Sequence, residues 1–171
     1  MADDALKAER RGRYVERFED MPGPAEIAHL TGLEYMEAIR VGDLPAATIA
    51  RTMGFWCEEV TFGRCVFRGR PSFDVYNPIG SVHGGWFGAI LDSALACSVH
   101  STLPAGKGYT TLEYKVGLLR PVFEGGQDYL AIGEMVHSGR RTGASEAKLI
   151  GAEDGKTYAT GTTTCLVLDL T

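Results

Sequence analysis

The chain lacks most of the features that would mark a secreted, membrane, metal-binding or nucleic-acid-binding protein. It has four cysteines, Cys57, Cys65, Cys97 and Cys165, and no two of them form a CxxC pair. That excludes a zinc ribbon and a thioredoxin-type redox centre. The histidines, His29, His83, His100 and His137, show no HxH or HxxxH spacing, so no metal is expected. Basic residues are outnumbered 17 to 22 and the formal charge is −5. A nucleic-acid binder usually carries a basic excess or stripe, so no nucleic-acid partner is expected. A few local cations would still suffice for a phosphate-bearing small molecule. The longest apolar stretch, from Gly84 to Val99, is too short to span a bilayer comfortably and contains Asp92. No membrane partner is therefore expected. The first twenty residues have no apolar signal-peptide region. Free thiols and a cytoplasmic location are the corresponding expectation. The sequence contains no internal repeat and no low-complexity segment.

What is present is ordinary globular material. Of the 171 residues, 44% are apolar and 23% charged, and a chain of this length buries roughly two thirds of its unfolded surface. The texture divides it in two. Residues 1–52 read as a helical extension with too little apolar material to fold alone. An exposed, charge-rich helix is expected over 4–19, stopped by Pro22-Gly23-Pro24. An amphipathic helix is expected over 25–40, where Ile27, Leu30, Leu33, Met36 and Ile39 recur every three residues. A short helical turn over 46–52 follows the break at Gly42-Asp43-Leu44-Pro45.

Residues 53–171 read as one domain. Strands are expected over 55–62 and 65–68, and again over 109–119, 128–137, 144–151 and 157–168, with glycine turns between them. Between the two groups, GGWFGAILDSALACSVHS (residues 84–101) is apolar nearly all round, the mark of a buried helix. The predicted architecture is α+β: an antiparallel meander of about six strands wrapped around one long central helix.

The chemistry concentrates around that helix. A helix starting near Gly84 leaves its first N–H groups unpaired and partly positive. Glycine lets a ligand come close to that backbone. A polarised carbonyl or an oxyanion is a natural guest there. Asp92 is the only charged residue between His83 and His100. Desolvation would raise its pKa toward that of a useful general base; the alternative is a carboxylate that bridges something structural. Gly84 and Asp92 are eight residues apart, roughly 12 Å along one helix. One small carbonyl cannot touch both. If both are catalytic, Asp92 must come from a second copy, which implies a symmetric dimer with two shared sites. Asn77 could orient a substrate through its amide or simply open an Asn-Pro turn. His83 could transfer a proton, orient a neighbour or close a loop.

These segments together, NPIGSVHGGWFGAILD, TTLEYKVGLLRP and SGRRTGASEAKLIGAEDGKTYATGTTTCLV, resemble the hotdog-fold acyl-CoA thioesterases. The phenylacetic acid degradation thioesterase family is the nearest in pattern, over about residues 53–171. The Asn-x5-His-Gly-Gly-x7-Asp spacing carries most of the likeness. The resemblance implies hydrolysis of a thioester to a carboxylic acid and coenzyme A, with no cofactor beyond the coenzyme A of the substrate. It also implies a homodimer, arranged as a dimer of dimers. Carried over by position, Gly84 would polarise the thioester carbonyl through its N–H. Asp92 of the partner subunit would activate water or attack directly. Asn77 and His83 would orient the reacting groups. A hydroxyl on the strand after the helix would assist, with Thr111 the better match and Thr110 its neighbour. Gly139 and Arg140 resemble a segment near the nucleotide of coenzyme A; the alternative for Arg140 and Arg141 is an ordinary solvated turn. Trp86, Phe87 and Leu91 would line the acyl pocket unless they are core. Two other readings are a non-catalytic acyl-CoA sensor and an enoyl-CoA hydratase of the same fold. The hydratase reading suffers because Asp74, in Asp74-x-x-Asn77-Pro78-Ile79, falls one residue too early for the hydratase motif.

Overall fold

The computed structural model describes residues 12–170. The N-terminal part of the helix expected over 4–19 lies outside these residues. From residue 12 onward no such helix forms. Arg13 instead bridges to Pro45, and only Phe18–Asp20 turn as a 3-10 helix. Val15 is buried. A tertiary anchor thus overrides the local preference of the charged segment.

The amphipathic stretch forms two helices rather than one: α1 (Pro24–Ile27) and α2 (Gly32–Val41). Thr31 caps α2. Its hydroxyl accepts from the Glu34 N–H, and the Glu34 carboxylate accepts from the Thr31 N–H at 2.8 Å, a capping box. The break also has a packing cause. The Gly32 N–H donates to the Leu103 carbonyl at 2.9 Å, and a Cβ at Gly32 would lie 1.7 Å from the His100 carbonyl oxygen. Only glycine permits this approach. The next helix, α3 (Thr48–Met53), lies where the short helical turn was expected and ends on Gly54.

The strands are β1 (Phe55–Thr61), β2 (Arg64–Gly69), β3 (Lys107–Leu118), β4 (Tyr129–Ser138), β5 (Thr142–Gly151) and β6 (Thr157–Asp169). The long helix α4 (Gly84–His100) lies between β2 and β3 in the chain. All strand pairs are antiparallel, in the order β1-β2-β4-β5-β6-β3. A simple meander describes only part of this sheet. β3 leaves sequence order and pairs with β6 at the far edge, while β2 pairs with β4. The crossover over 119–128 is held by Val82 N–H donating to the Val122 carbonyl at 3.0 Å.

The core lies between α4 and the inner face of the sheet. Trp86, Ile90, Leu91, Ala94, Leu95 and Val99 are each no more than 1% exposed. Burying one large aliphatic side chain is worth about 1.5–3 kcal/mol. The strands meet these side chains mostly with small residues: Ala131 and Gly133 on β4, Ala147 on β5, Ala159 and Gly161 on β6. Bulk sits on the helix and space sits on the sheet, so the two approach closely. At Gly133 a Cβ would fall 2.1 Å from the Ala94 carbonyl oxygen. Trp86 Nε1 donates to the Met53 carbonyl at 2.8 Å, tying α3 to this core. Of the two readings open for Trp86, Phe87 and Leu91, acyl pocket or core, the structure has them in the core.

Because the clash at Gly133 is with backbone, Gly133→Ala should cost on the order of 3 kcal/mol. Urea unfolding is expected to show a lower midpoint at unchanged slope.

Candidate active site

One face of α4 runs along the edge strand β3. A Cβ at Gly84 would lie 3.4 Å from Leu118 Cδ1, and one at Gly88 would lie 3.1 Å from the Tyr114 hydroxyl. At the next position of this i, i+4, i+8 row, the Thr111 hydroxyl donates to Asp92 Oδ1 at 3.1 Å. A bulge at Leu112 makes this arrangement possible. Thr111 pairs with Cys165 and Glu113 with Thr164, leaving Leu112 unopposed. The bulge shifts the strand's alternation by one residue, so Thr111 and Tyr114, three apart, both face the helix. The hydroxyl on Asp92 thus belongs to Thr111; Thr110 pairs with Leu166.

Asp92 is half-buried. Burial pushes its carboxyl above the usual carboxylate range, and the hydrogen bond from Thr111 partly pulls it back. Around it lies a cavity of about 680 Å³ in the seam between β1 and β3, the two edges of the sheet. Asp92, Ser93 and Thr111 supply polar groups there. Tyr35 and Tyr109 flank His100 with ring centroids 5.1 and 4.9 Å away. His100 lines the same cavity, and its burial lowers its pKa to about 4, so it stays neutral near pH 7. The cavity walls contributed by α2, α3 and β1 were missed by sequence reasoning. The only sequence signal for them was the apolar face of the second helix, which by itself says nothing about what it packs against.

The other expected site residues gather at the far end of α4. His83 caps the helix, and its Nδ1 accepts from the Gly85 N–H at 2.8 Å. The ring nitrogen facing the helix is therefore occupied. Gly84 opens the helix, and no acceptor among the described residues takes its N–H. Asn77 sits in the loop closed by the Tyr76–Val82 bridge. Its Oδ1 accepts from the N–H groups of Ile79 and Ser81 at 3.0 and 3.2 Å, and its Nδ2 donates to the Ser81 hydroxyl at 3.0 Å. Its amide therefore organises its own loop. Gly84 and Asp92 share a face of α4, but about 12 Å of helix separates them. Within one chain the structure brings Thr111 to Asp92, and His83 to the start of the helix, but it does not bring the two ends together.

Gly139 and Arg140 lie in the β4–β5 turn, where Gly139 N–H donates to the Thr142 carbonyl at 2.8 Å. Arg140 and Arg141 are exposed. The Arg141 carbonyl accepts from Val167 N–H at 2.9 Å, next to Leu168, which lines the cavity. Among the described residues there is no cluster of three or more metal-ligating side chains. Nor is any described helix long and apolar enough to cross a membrane.

Comparisons with known proteins place the fold in a family. Residues 79–158 match the thioesterase superfamily. A putative thioesterase from Ralstonia eutropha JMP134, a phenylacetic acid degradation-related protein, is 30% identical with a TM-score of 0.69; the match covers 77% of this chain and 98% of that one. A thioesterase family protein from Silicibacter pomeroyi is 25% identical with a TM-score of 0.66, over 72% of this chain and 90% of that one. The PaaI protein from the phenylacetic acid degradation operon of E. coli shares the fold at 22% identity and a TM-score of 0.65, over 71% of this chain and 85% of that one. No curated protein matches the sequence. The chain is a hotdog-fold member of the thioesterase superfamily and belongs to its phenylacetic acid degradation family.

The environment of Asp92 predicts a stability effect. Its folded carboxyl holds the proton more tightly than the unfolded chain does. Folding stability is therefore lost as pH rises through the unfolded value, about 3.9, toward the raised folded one. Asp92→Asn removes that penalty while keeping an acceptor for Thr111. Its Tm at pH 7 should exceed that of the wild type by a few degrees, and the difference should shrink toward pH 3.

Proposed function

We propose that this protein hydrolyses acyl-CoA thioesters to a carboxylic acid and coenzyme A, in a site assembled from two copies of the chain. One observation carries the reading: a half-buried carboxylate with a raised pKa, bonded to Thr111, opens into a mostly apolar cavity on the helix face that also carries the free N–H of Gly84. Two features support sharing between copies. The helix separates Gly84 from Asp92 by more than one thioester can bridge. The strand beside both groups, β3, is a sheet edge whose Leu112, Tyr114, Leu118 and following Leu119 are exposed. A two-fold pair joined along that edge would set the start of α4 in one copy against the middle of α4 in its twin.

In this site the thioester carbonyl oxygen accepts from the Gly84 N–H, which stabilises the negative charge that grows on it. Asp92 takes a proton from a water, whose oxygen attacks the carbonyl carbon. The tetrahedral intermediate collapses, the C–S bond breaks, and the thiolate of coenzyme A recovers the proton from Asp92. Direct attack by Asp92 through a mixed anhydride is the alternative; where water then opens the anhydride at the Asp92 carboxyl carbon, single turnover in 18O-water labels the protein carboxylate. Asn77 and His83 act as positioning residues, since their polar atoms hold the loop and the cap that fix the Gly84 N–H. Arg140 meets a phosphate of coenzyme A, charge to charge. Residues 1–52 are an extension to a thioesterase domain spanning 53–171. The reaction calls for no cofactor.

A screen of aryl-, short-, medium- and long-chain acyl-CoAs with free-thiol detection tests the activity. Asp92→Asn should lower turnover of the best substrate by about 100-fold or more; full activity would sink the assignment. Mixing Asn77→Ala with Asp92→Asn under subunit exchange should restore activity, because one site of each mixed dimer receives both native groups. Thr111→Val removes the bond that favours the ionised carboxylate, so the acidic limb of the pH–rate profile should move to higher pH.

A further inference from the structure

We propose that α2 and α3 form the acyl-binding wall of the Asp92 site and select thioesters of bulky, uncharged acyl groups over acetyl-sized or anionic ones. The selection of thioesters rests on the function proposed above; the wall itself does not.

The argument begins with the shape of the sheet. Its edges, β1 and β3, do not meet, and the seam between them exposes the stripe of α4 that carries Asp92, Ser93, Ala96 and Cys97. The extension lies across that seam. Met36 and Ile39 of α2 and Ile49 and Ala50 of α3 face it, opposite Phe55 of β1 and Tyr109 of β3. The half-open cavity, about 680 Å³, lies well inside the span of roughly 300–1,000 Å³ typical of pockets for sizeable ligands. An acetyl group would leave most of it to water.

Charge decides the second half. Besides Asp92, the ionisable residues on the wall are Arg40 and Asp169, with Cys57, Cys97, His100 and the two tyrosines Tyr35 and Tyr109. Arg40 is engaged by Glu37 through two bonds of 2.7 and 2.6 Å. Asp169 is engaged by Lys107 at 2.5 Å. Neither is left to compensate a carboxylate or an ammonium on the acyl chain. A charged acyl group would lose its hydration there without a partner.

This wall lies outside the sheet and α4. The sheet and α4 need only residues 55–169. Specificity set by α2 and α3 can therefore vary without change to the catalytic groups.

The test compares acetyl-, octanoyl- and succinyl-CoA. In the wild type, kcat/KM for octanoyl-CoA should exceed that for acetyl-CoA by about 100-fold or more, given roughly 0.8 kcal/mol per buried methylene. Succinyl-CoA should rank with acetyl-CoA. Ile39→Trp fills the cavity and should lower the octanoyl-to-acetyl ratio by about 10-fold or more, chiefly through KM for octanoyl-CoA. Val41→Trp, on an exposed part of α2 outside the cavity, should leave the ratio unchanged. If Ile39→Trp fails to fold, Ile49→Asp at the half-exposed rim supplies the same comparison. A ratio insensitive to both substitutions, or an acetyl preference in the wild type, overturns the proposal. Should no acyl-CoA be hydrolysed, calorimetric binding of octanoyl-CoA is the readout. Binding weakened by Ile39→Trp upholds the wall and counts against the thioesterase reading alone. Binding that is absent, or equal in both proteins, overturns the wall.

Discussion

A six-stranded antiparallel sheet wrapped around one helix cannot cover that helix completely. β1 and β3 end on opposite sides of α4, and the stripe between them must face something other than strand. In this chain the uncovered stripe contains the one acidic residue of the helix, Asp92. The covered faces are filled by Trp86, Ile90, Leu91 and Leu95 against the small residues of β4, β5 and β6. The division of labour follows from packing. The closed side needs bulk on the helix and glycine or alanine on the strands. The open side is free to hold a carboxylate and a cavity.

That carboxylate is held at a cost to stability. Ionised and half-buried, Asp92 is less well solvated than in water, and Thr111 supplies only one hydrogen bond in return. A protein optimised for stability alone would place a neutral residue there. The strain is tolerable because the rest of α4 is so well buried, and because the cost falls on one group rather than on the packing around it. The bulge at Leu112 serves the same end. It disturbs the β3–β6 ladder for one residue and turns Thr111 and Tyr114 together onto the helix.

Much of this was legible in the residues. The all-round apolar character of 84–100 marked a buried central helix, glycine turns marked the strands, and Asp92 stood out as its lone charge. What was missed or left open shares a cause. The helix expected over 25–40 breaks at Thr31-Gly32 because the backbone of α4 passes too close for a side chain. Trp86, Phe87 and Leu91, left open between pocket and core, turn to the core, where Trp86 packs over Gly69 of β2 and Leu91 over Gly161 of β6, both distant in sequence. The choice between Thr110 and Thr111 depended on a bulge that no alternation pattern discloses. The position of β3 at the edge depended on a crossover fixed by Val82 and Val122. Local pattern names the elements; contacts distant in sequence decide which face each one shows.

The two ends of α4 differ in a way that bears on how such a site is divided. Around Gly84 the side chains are consumed locally. Asn77 bonds within its own loop and His83 bonds to Gly85, while among the described residues no acceptor takes the Gly84 N–H. Around Asp92 the reverse holds: the side chain is the reactive group, and its surroundings are apolar wall. In the proposed reaction one end is the donor and the other the acid–base, and a single rigid helix keeps them about 12 Å apart. The proposed pairing with a second copy resolves this with no movement of either end, and the exposed apolar edge of β3 lies beside both. The extension across the seam then acts on a different variable. In the proposed site it leaves the donor and the acid where they are and changes only what shape of acyl group can lie between them.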